Sequence, residues 1–419
     1  MKLLRLPGYC FPEQVSSLRL DEDLNEELSK NEIIQEFFVP VPSRGISDED
    51  KQKYKKLKFE TRYGGKVVIH RFSVMEERRN PLLRAIRYLL INVKQYRLGI
   101  KAKDVDIVYG TSTPPTQGLT CAKIAKKLSK KYNRHVPFIY NLQDVFPDSL
   151  VKTGLTKEGS LLWKIGRKIE NKTYASADKI IVISEDFKRN IMAKGVPEEK
   201  IEVVYNWVDT EKIKPVERKD NKLFDEYNIN RSDFAVVYAG NFGVSQGIKV
   251  VVDAAELLKN HSDIKFVLFG GGAEYEEIKK YAESLGLENV MINPLLPGDR
   301  ISEVYSLGDV NLITCKKGFG ECAFPSKTWS IMACNSFIIA SYDKVSELAD
   351  VIEKSGVGQV VEPENPTDLA KMILQAKENR KQVNGRDYLK QFADKNTCLR
   401  KYAGIFNGVL ASNTRKEII

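Results

Sequence analysis

Four short segments carry residue types that can do chemistry at spacings a backbone can use. Residues 239–249 (AGNFGVSQGIK) run from an apolar strand into a glycine turn and then a helix. Such a turn exposes backbone N–H groups, a helix start adds partial positive charge, and together they suit a phosphate. Gly240 and Gly243 let a bulky anion approach the backbone closely, although the same residues also make a plain tight turn. In residues 321–334 (ECAFPSKTWSIMAC), Pro325, Ser326 and Lys327 fall at a helix start, with Ser326 as the N-cap candidate. Lys327 is then either a cation for a leaving pyrophosphate or the solvated lysine of an ordinary capped helix. In residues 141–149 (NLQDVFPDS), Gln143 and Asp144 directly follow an apolar strand. A carboxylate there can accept a proton from a hydroxyl, or close an Asx-turn; Asp148 can serve either role. Residues 8–17 (GYCFPEQVSS) lead into a helix start, where the small Ser16 and Ser17 permit close approach of an acceptor or a phosphate, or complete a routine loop.

The elements that must position these segments alternate along the chain. Short apolar runs near residues 3–7, 33–41, 66–72, 105–112, 136–144, 179–185 and 201–208 read as strands, with helical periodicity between most of them. Residues 43–58 are polar and lysine-rich and read as a mobile loop. A polar break at 209–233 precedes a second strand–helix series. The expected fold class is α/β, with two Rossmann-like doubly wound domains facing an interdomain cleft, at 1–209 and 210–384. A helical segment, 385–419, is expected to pack back toward the first domain. The 419 residues suit two or three domains, and 42% hydrophobic with 29% charged residues excludes wholesale disorder. No apolar run is long enough to span a membrane, and no apolar core near Met1 marks a signal peptide. Six cysteines without a CxxC pair fit reduced thiols in the cytoplasm, and three scattered histidines argue against a zinc site.

The formal net charge of +10 is uneven: residues 51–100 carry 14 Lys/Arg and 3 Asp/Glu, whereas residues 1–50 carry 5 and 11. The first half therefore holds the basicity, which points to an anionic partner or simply to a well-solvated surface. Within 78–103, Leu82, Leu83, Ile86, Leu89, Leu90 and Val93 recur at helical spacing, punctuated by Arg84, Arg87, Lys94 and Arg97. Such a helix can lie on a membrane with those four cations as contacts, or bury its apolar stripe in a core. A nucleic-acid partner would explain the charge but not the glycine turn, and no nucleic-acid motif is present.

Seven blocks, in order, resemble retaining glycosyltransferases of family 4, and most closely their WbuB-type group of fucosamine- and colanic-acid-transferase-like enzymes. They are GYCFPE (8–13), GTSTPPTQGL (110–119), NLQDVFPDSLVKTG (141–154), the stretch 182–215, YAGNFGVSQGIKVVVDAAELL (238–258), PSKTWSIMACNSFIIAS (325–341) and GQVVEPENPTDLA (358–370). The resemblance implies the GT-B architecture. The first domain then binds the acceptor and the second a nucleotide-sugar, through Gly240, Asn241, Gly243, Gln246, Glu321, Ser326, Lys327 and Ser330. It implies a retaining transfer with no cofactor and no obligatory metal. Lys327 and N–H groups stabilise the leaving diphosphate, and Asp144 has a catalytic or acceptor-orienting role beside Gln143, Ser16 and Ser17.

The expected reaction moves a sugar, by family habit from a UDP carrier, to a polyprenyl-linked or growing glycan acceptor. The setting is bacterial surface-polysaccharide synthesis, in the cytoplasm against the anionic inner face of the membrane. The chain departs from the family pattern where two glutamates usually stand eight positions apart, here Cys322 and Ser330, with Glu321 the nearest carboxylate. Gln246 and Gly247 stand where a basic residue usually follows the glycine turn, and Asn335 replaces a usual glycine. Those departures leave a nucleotide-sugar 2-epimerase, or a catalytically inactive nucleotide-sugar-binding subunit, as the competing readings.

Overall fold

The computed structural model describes residues 1–15, 18–77, 80–152, 154–322 and 324–417. The chain divides into two compact units: Met1–Tyr205 with the chain from Leu399 onward, and Asn206–Cys398.

The first unit is built on eight strands, β1 (Lys2–Arg5), β2 (Ile34–Pro40), β3 (Phe59–Arg62), β4 (Val67–Phe72), β5 (Ile107–Thr111), β6 (Phe138–Leu142), β7 (Lys179–Val182) and β8 (Ile201–Val203). They form one sheet in the order β3-β4-β2-β1-β5-β6-β7-β8, parallel except where β3 pairs antiparallel with β4. Its helices are α1 (Leu18–Lys30), α2 (Asp48–Lys56), α3 (Pro81–Gly99), α4 (Gln117–Tyr132), α5 (Asp148–Lys152), α6 (Leu161–Ser176) and α7 (Glu185–Ala193). The central strands are apolar on both faces, as a parallel sheet covered by helices requires; Leu4, Val108, Phe138 and Ile180 share one core with Ile124 and Leu128 of α4.

The stretch 43–58 is not the loop its composition suggests, because α2 forms within it. Ser47 Oγ accepts from Asp50 N at 3.0 Å, and acidic residues open the helix while lysines close it, complementing the dipole at both ends. Tyr54 anchors it, buried beneath the Arg71 guanidinium.

Helix α3 is turned inside out relative to an ordinary amphipathic helix. Its buried residues include Arg87, Asn92 and Gln95, and of its large aliphatic residues only Ile91 is fully buried. Gln95 Nε2 donates to the Pro7 and Phe38 carbonyls, each at 2.9 Å. Arg87 is 0% exposed. Its Nε donates to the Met75 carbonyl at 3.2 Å and its Nη2 to Ser43 Oγ at 3.3 Å. The expected membrane contact at Arg87 is thereby corrected: neighbouring loops supply acceptors for its Nε and Nη2 and hold it inward. Arg84, Lys94 and Arg97 remain exposed, with Arg84 beside Glu77 at 3.3 Å. No helix among the described residues is long and apolar enough to cross a membrane.

The second unit has six parallel strands, β9 (Phe234–Asn241), β10 (Ile264–Gly271), β11 (Val290–Pro294), β12 (Val310–Thr314), β13 (Phe337–Ser341) and β14 (Gly358–Val361), in the order β11-β10-β9-β12-β13-β14. Its helices are α8 (Leu223–Glu226), α9 (Lys249–Leu257), α10 (Tyr275–Ser284), α11 (Ile301–Leu307), α12 (Lys327–Ala333), α13 (Glu347–Ser355), α14 (Pro366–Glu378) and α15 (Gly385–Phe392). A last helix, α16 (Lys395–Glu417), begins in this unit, and its later turns belong to the first, where Phe406 meets the Tyr109 ring edge-on. Cys10, Cys121, Cys315, Cys334 and Cys398 are buried reduced thiols.

Candidate active site

In the second unit, β9 and β10 end side by side, with Gly240 opposite Gly270 and Asn241 opposite Gly271. The chain then passes through one 3-10 turn, Val244–Gln246, and a left-handed Gly247 before α9 begins at Lys249. The helix start therefore stands further from the glycine turn than expected. The turn is held from beneath: Phe242 fills the space left by Gly270, where an added Cβ would lie 1.9 Å from the ring, and its N–H donates to the Gly271 carbonyl at 2.8 Å. Asn241 Nδ2 donates to Gln246 Oε1 at 3.1 Å, across Gly243, where an added Cβ would lie 2.5 Å from that Nδ2 and displace the pair.

Lys327, at the start of α12, reaches this turn. A Cβ on Gly240 would lie 3.0 Å from its Nζ, so the glycine makes room for the ammonium group. The Nζ sits 3.7 Å from the centre of the Tyr238 ring, is buried, and has no hydrogen-bond partner among the described residues. Burial lowers its pKa to about 7. A buried cation without a partner is costly, and the ring face compensates only in part. Such a group is poised to receive an anion. Tyr238, whose hydroxyl donates to the Asn241 carbonyl at 2.9 Å, is a member of this cluster that the sequence did not single out, because it reads there as one more strand residue.

Ser326 does not act as the expected N-cap. Its backbone is already helical (φ −60°, ψ −21°) and its hydroxyl makes no capping bond; Thr328 Oγ1 donates instead to the Pro325 carbonyl at 2.7 Å. A capping side chain needs an extended backbone to reach back to the first turn. Ser330 is half-buried one turn beyond Lys327, and Glu321 is exposed on the short turn Gly320–Cys322. Lys249 is committed elsewhere, to Asp253 at 2.7 Å and the Tyr281 hydroxyl at 3.0 Å. Asn335 has φ +51°, the left-handed conformation a glycine would take, so that departure is silent in backbone terms.

In the first unit, Ser112 at the end of β5 fixes the segment after β6. Its Oγ accepts from the N–H groups of Gln143 (3.0 Å) and Asp144 (3.1 Å). Gln143 Nε2 donates to Asn141 Oδ1 at 2.9 Å, turning that side chain inward. Asp144 keeps an exposed edge, while the protein packed around the rest of it pushes its pKa up. A hydrogen bond from Ser149 (3.3 Å) opposes that rise and the neighbouring Asp148 adds to it. Asp148 itself is tied to Lys194 (2.8 Å) and Asn190 (3.2 Å), which leaves it a structural part. Ser16 and Ser17 lie outside the described residues. The loop before them is pinned by buried Glu13, which accepts from the backbone N–H groups of Cys10, Ser43 and Arg44.

Residues 44–212 match the family model described as Glycosyltransferase Family 4, and residues 219–396 match that described as Glycosyl transferases group 1. By these two matches the chain is a glycosyltransferase. The transferase is 27% identical over 279 residues to the probable glycosyltransferase WbjE of Pseudomonas aeruginosa, covering 66% of this chain and 67% of that one. It is 26% identical over 298 residues to the putative colanic acid biosynthesis glycosyl transferase WcaI of Escherichia coli K12, covering 69% and 72%. Its fold is that of HepE from Anabaena, solved in complex with UDP, at a TM-score of 0.68 and 16% identity over 97% of this chain and 100% of that one. The two Rossmann-like domains of the transferase are those of the GT-B architecture.

Proposed function

We propose that this transferase moves a sugar, with retention, from a UDP-sugar to a polyprenyl-linked or growing glycan acceptor in bacterial surface-polysaccharide assembly, at the inner face of the cell membrane. The observation that carries the donor half is the buried, partnerless Lys327 ammonium beside Gly240. In this reading the diphosphate lies against the Gly240–Gly243 turn, with Asn241 and Gln246 at its edge and Lys327 on its departing oxygen. Glu321 and Ser330 stand in for the usual glutamates toward the nucleoside, and Ser326 lines the same side. The bond from the sugar C1 to the phosphate oxygen breaks, and the acceptor oxygen bonds to C1 on the same face. The acceptor's proton leaves with the diphosphate. Asp144, held by Ser112, accepts a hydrogen bond from the acceptor hydroxyl and orients it, with Gln143 behind it. The name of WcaI and the UDP in the HepE structure support the setting and the carrier. The WbuB-like blocks favour an N-acetylated deoxysugar.

Thermal unfolding of the purified protein against UDP, other nucleotides and a panel of UDP-sugars tests the donor half. A ligand at a hundred times its dissociation constant stabilises by about 2.7 kcal/mol. The reading expects such a rise with UDP and its loss in Lys327→Ala. An equal rise in the variant, or none with any nucleotide, would count against it. Asp144→Asn should keep the UDP response and lose transfer.

A further inference from the structure

Helices α3, α4 and α6 lie side by side on the first unit, with α3 and α6 each packed against α4. They carry thirteen Lys and Arg and one acidic residue, Glu170. Glu170 is buried and paired with Arg167 and with Lys194 at 3.0 Å, so it offers no negative charge to the outside. The exposed charge of this layer is therefore positive, from Lys123, Lys126, Lys127 and Lys130 on α4 and Lys164 and Lys168 on α6.

The same layer exposes aliphatic side chains on two separate helices. On α3, Leu82 is 69% and Leu89 56% exposed, with Ile86, Leu90 and Val93 beside them, while Arg87, Asn92 and Gln95 face inward. Helix α6 repeats the inversion: Leu161 is 76% exposed and Leu162 and Ile165 are open, whereas Gly166, Glu170, Thr173 and Tyr174 are buried. Leu155, just before it, is exposed as well. Single exposed aliphatics need no explanation, but two inverted helices in one layer do. Helix α3 follows β4 and α6 follows β6, so their leucine-rich first turns lie at the carboxyl end of the sheet, the end that bears Asp144.

A two-fold pairing with a second copy would set two wholly cationic faces against each other. An anionic leaflet supplies both phosphates for the lysines and hydrocarbon for the leucines. We propose that the α3–α4–α6 face docks on an anionic phospholipid leaflet, with the α3 and α6 leucines entering the headgroup–acyl boundary and the α4 lysines meeting phosphates. This rests on the reading of a lipid-linked acceptor and turns the Asp144 end of the sheet toward the bilayer. It widens the contact anticipated for α3 alone and removes Arg87 from it.

The test is co-sedimentation of the full chain with vesicles of phosphatidylcholine alone or with about 30% phosphatidylglycerol. Binding should be at least roughly tenfold tighter on the anionic vesicles and weaken with salt. The exposed-site variant Leu82→Ser/Leu89→Ser/Leu161→Ser should lose at least about tenfold. The variant Lys126→Glu/Lys127→Glu/Lys130→Glu should lose the preference for phosphatidylglycerol. Binding indifferent to lipid charge, or unchanged in both variants, overturns the proposal. So does a solution dimer that the leucine variant abolishes, since a second copy would then cover the face. UDP stabilisation of the same samples separates the two readings. Vesicle binding without any nucleotide response sinks the donor site and leaves the docking face standing; a UDP response without vesicle binding does the reverse.

Discussion

Raising the pH from about 6 to about 8.5 should weaken UDP-sugar binding roughly 30-fold through one side chain, Lys327. Its pKa in the empty protein is about 7, lowered by burial. At pH 6 nearly every molecule carries the ammonium, and at pH 8.5 only about one in thirty does. A bound diphosphate supplies the missing partner, so in the complex the pKa returns toward the ordinary lysine range. Binding then selects the charged fraction, and each pH unit above 7 removes about tenfold in affinity, or about 1.4 kcal/mol. The whole interval amounts to about 2 kcal/mol. Calorimetry with a UDP-sugar measures this better than with UDP, whose terminal phosphate itself titrates near pH 6, by about one unit of charge. Lys327→Arg holds its charge throughout and should flatten the slope. A flat profile in the unmodified protein, or an unchanged slope in Lys327→Met, would refute the reasoning. The same group sets a stability signature of opposite appearance. The folded pKa lies below the unfolded one, so the unfolded chain binds the extra proton between about pH 7 and the ordinary lysine range near 10.4. Unliganded stability due to this residue therefore rises with pH across that window. Lys327→Met should stabilise the empty protein most below pH 7, by about 1–3 kcal/mol, while abolishing the UDP response.

Three further substitutions probe the framework. Gly240→Ala places a Cβ 3.0 Å from Lys327 Nζ and 3.4 Å from the Tyr238 hydroxyl; donor affinity should fall by at least about tenfold, read by calorimetry, with the fold intact by circular dichroism. Ser112→Ala removes the acceptor for the Gln143 and Asp144 N–H groups; it should raise the acceptor KM and lower kcat with UDP affinity unchanged, by steady-state kinetics. Gly118→Ala puts a Cβ 2.3 Å from Thr173 Cγ2 and 2.7 Å from Tyr140, where α4 packs against α6; urea unfolding should show a loss of about 1–3 kcal/mol.

The two-domain α/β plan was legible because parallel strands buried on both faces read as short apolar runs between helical stretches. The glycine turn and Lys327 were each visible by type, but not their meeting. They stand far apart in sequence, and only the parallel register of the sheet brings α12 to the end of β9. Tyr238 carried no signal, since a strand aromatic reads first as core. Helix α2 was hidden by its lysines, though Ser47 followed by three acidic residues is a start signal that composition masked. Arg87 was misplaced because periodicity shows that a helix has two faces without saying which meets the sheet. The carbonyl of Met75 and the hydroxyl of Ser43 decide that, and they belong to loops whose course no local pattern gives.

The shape of the glycine turn is inherited from a neighbouring strand. Phe242 lies in a slot that exists only because Gly270 has no side chain, and the turn's remaining freedom is taken up by Gly272, against which Asn241 packs. A side chain at Gly270 would lift the floor of the turn through Phe242 without touching a group assigned to the phosphates, whereas one at Gly272 would press on Asn241 directly. Loss of function arising at Gly270 would then mimic a binding-site lesion in every nucleotide assay, yet its origin would be a crowded β10. For the same reason, the glycine turn is the part of this site least free to drift.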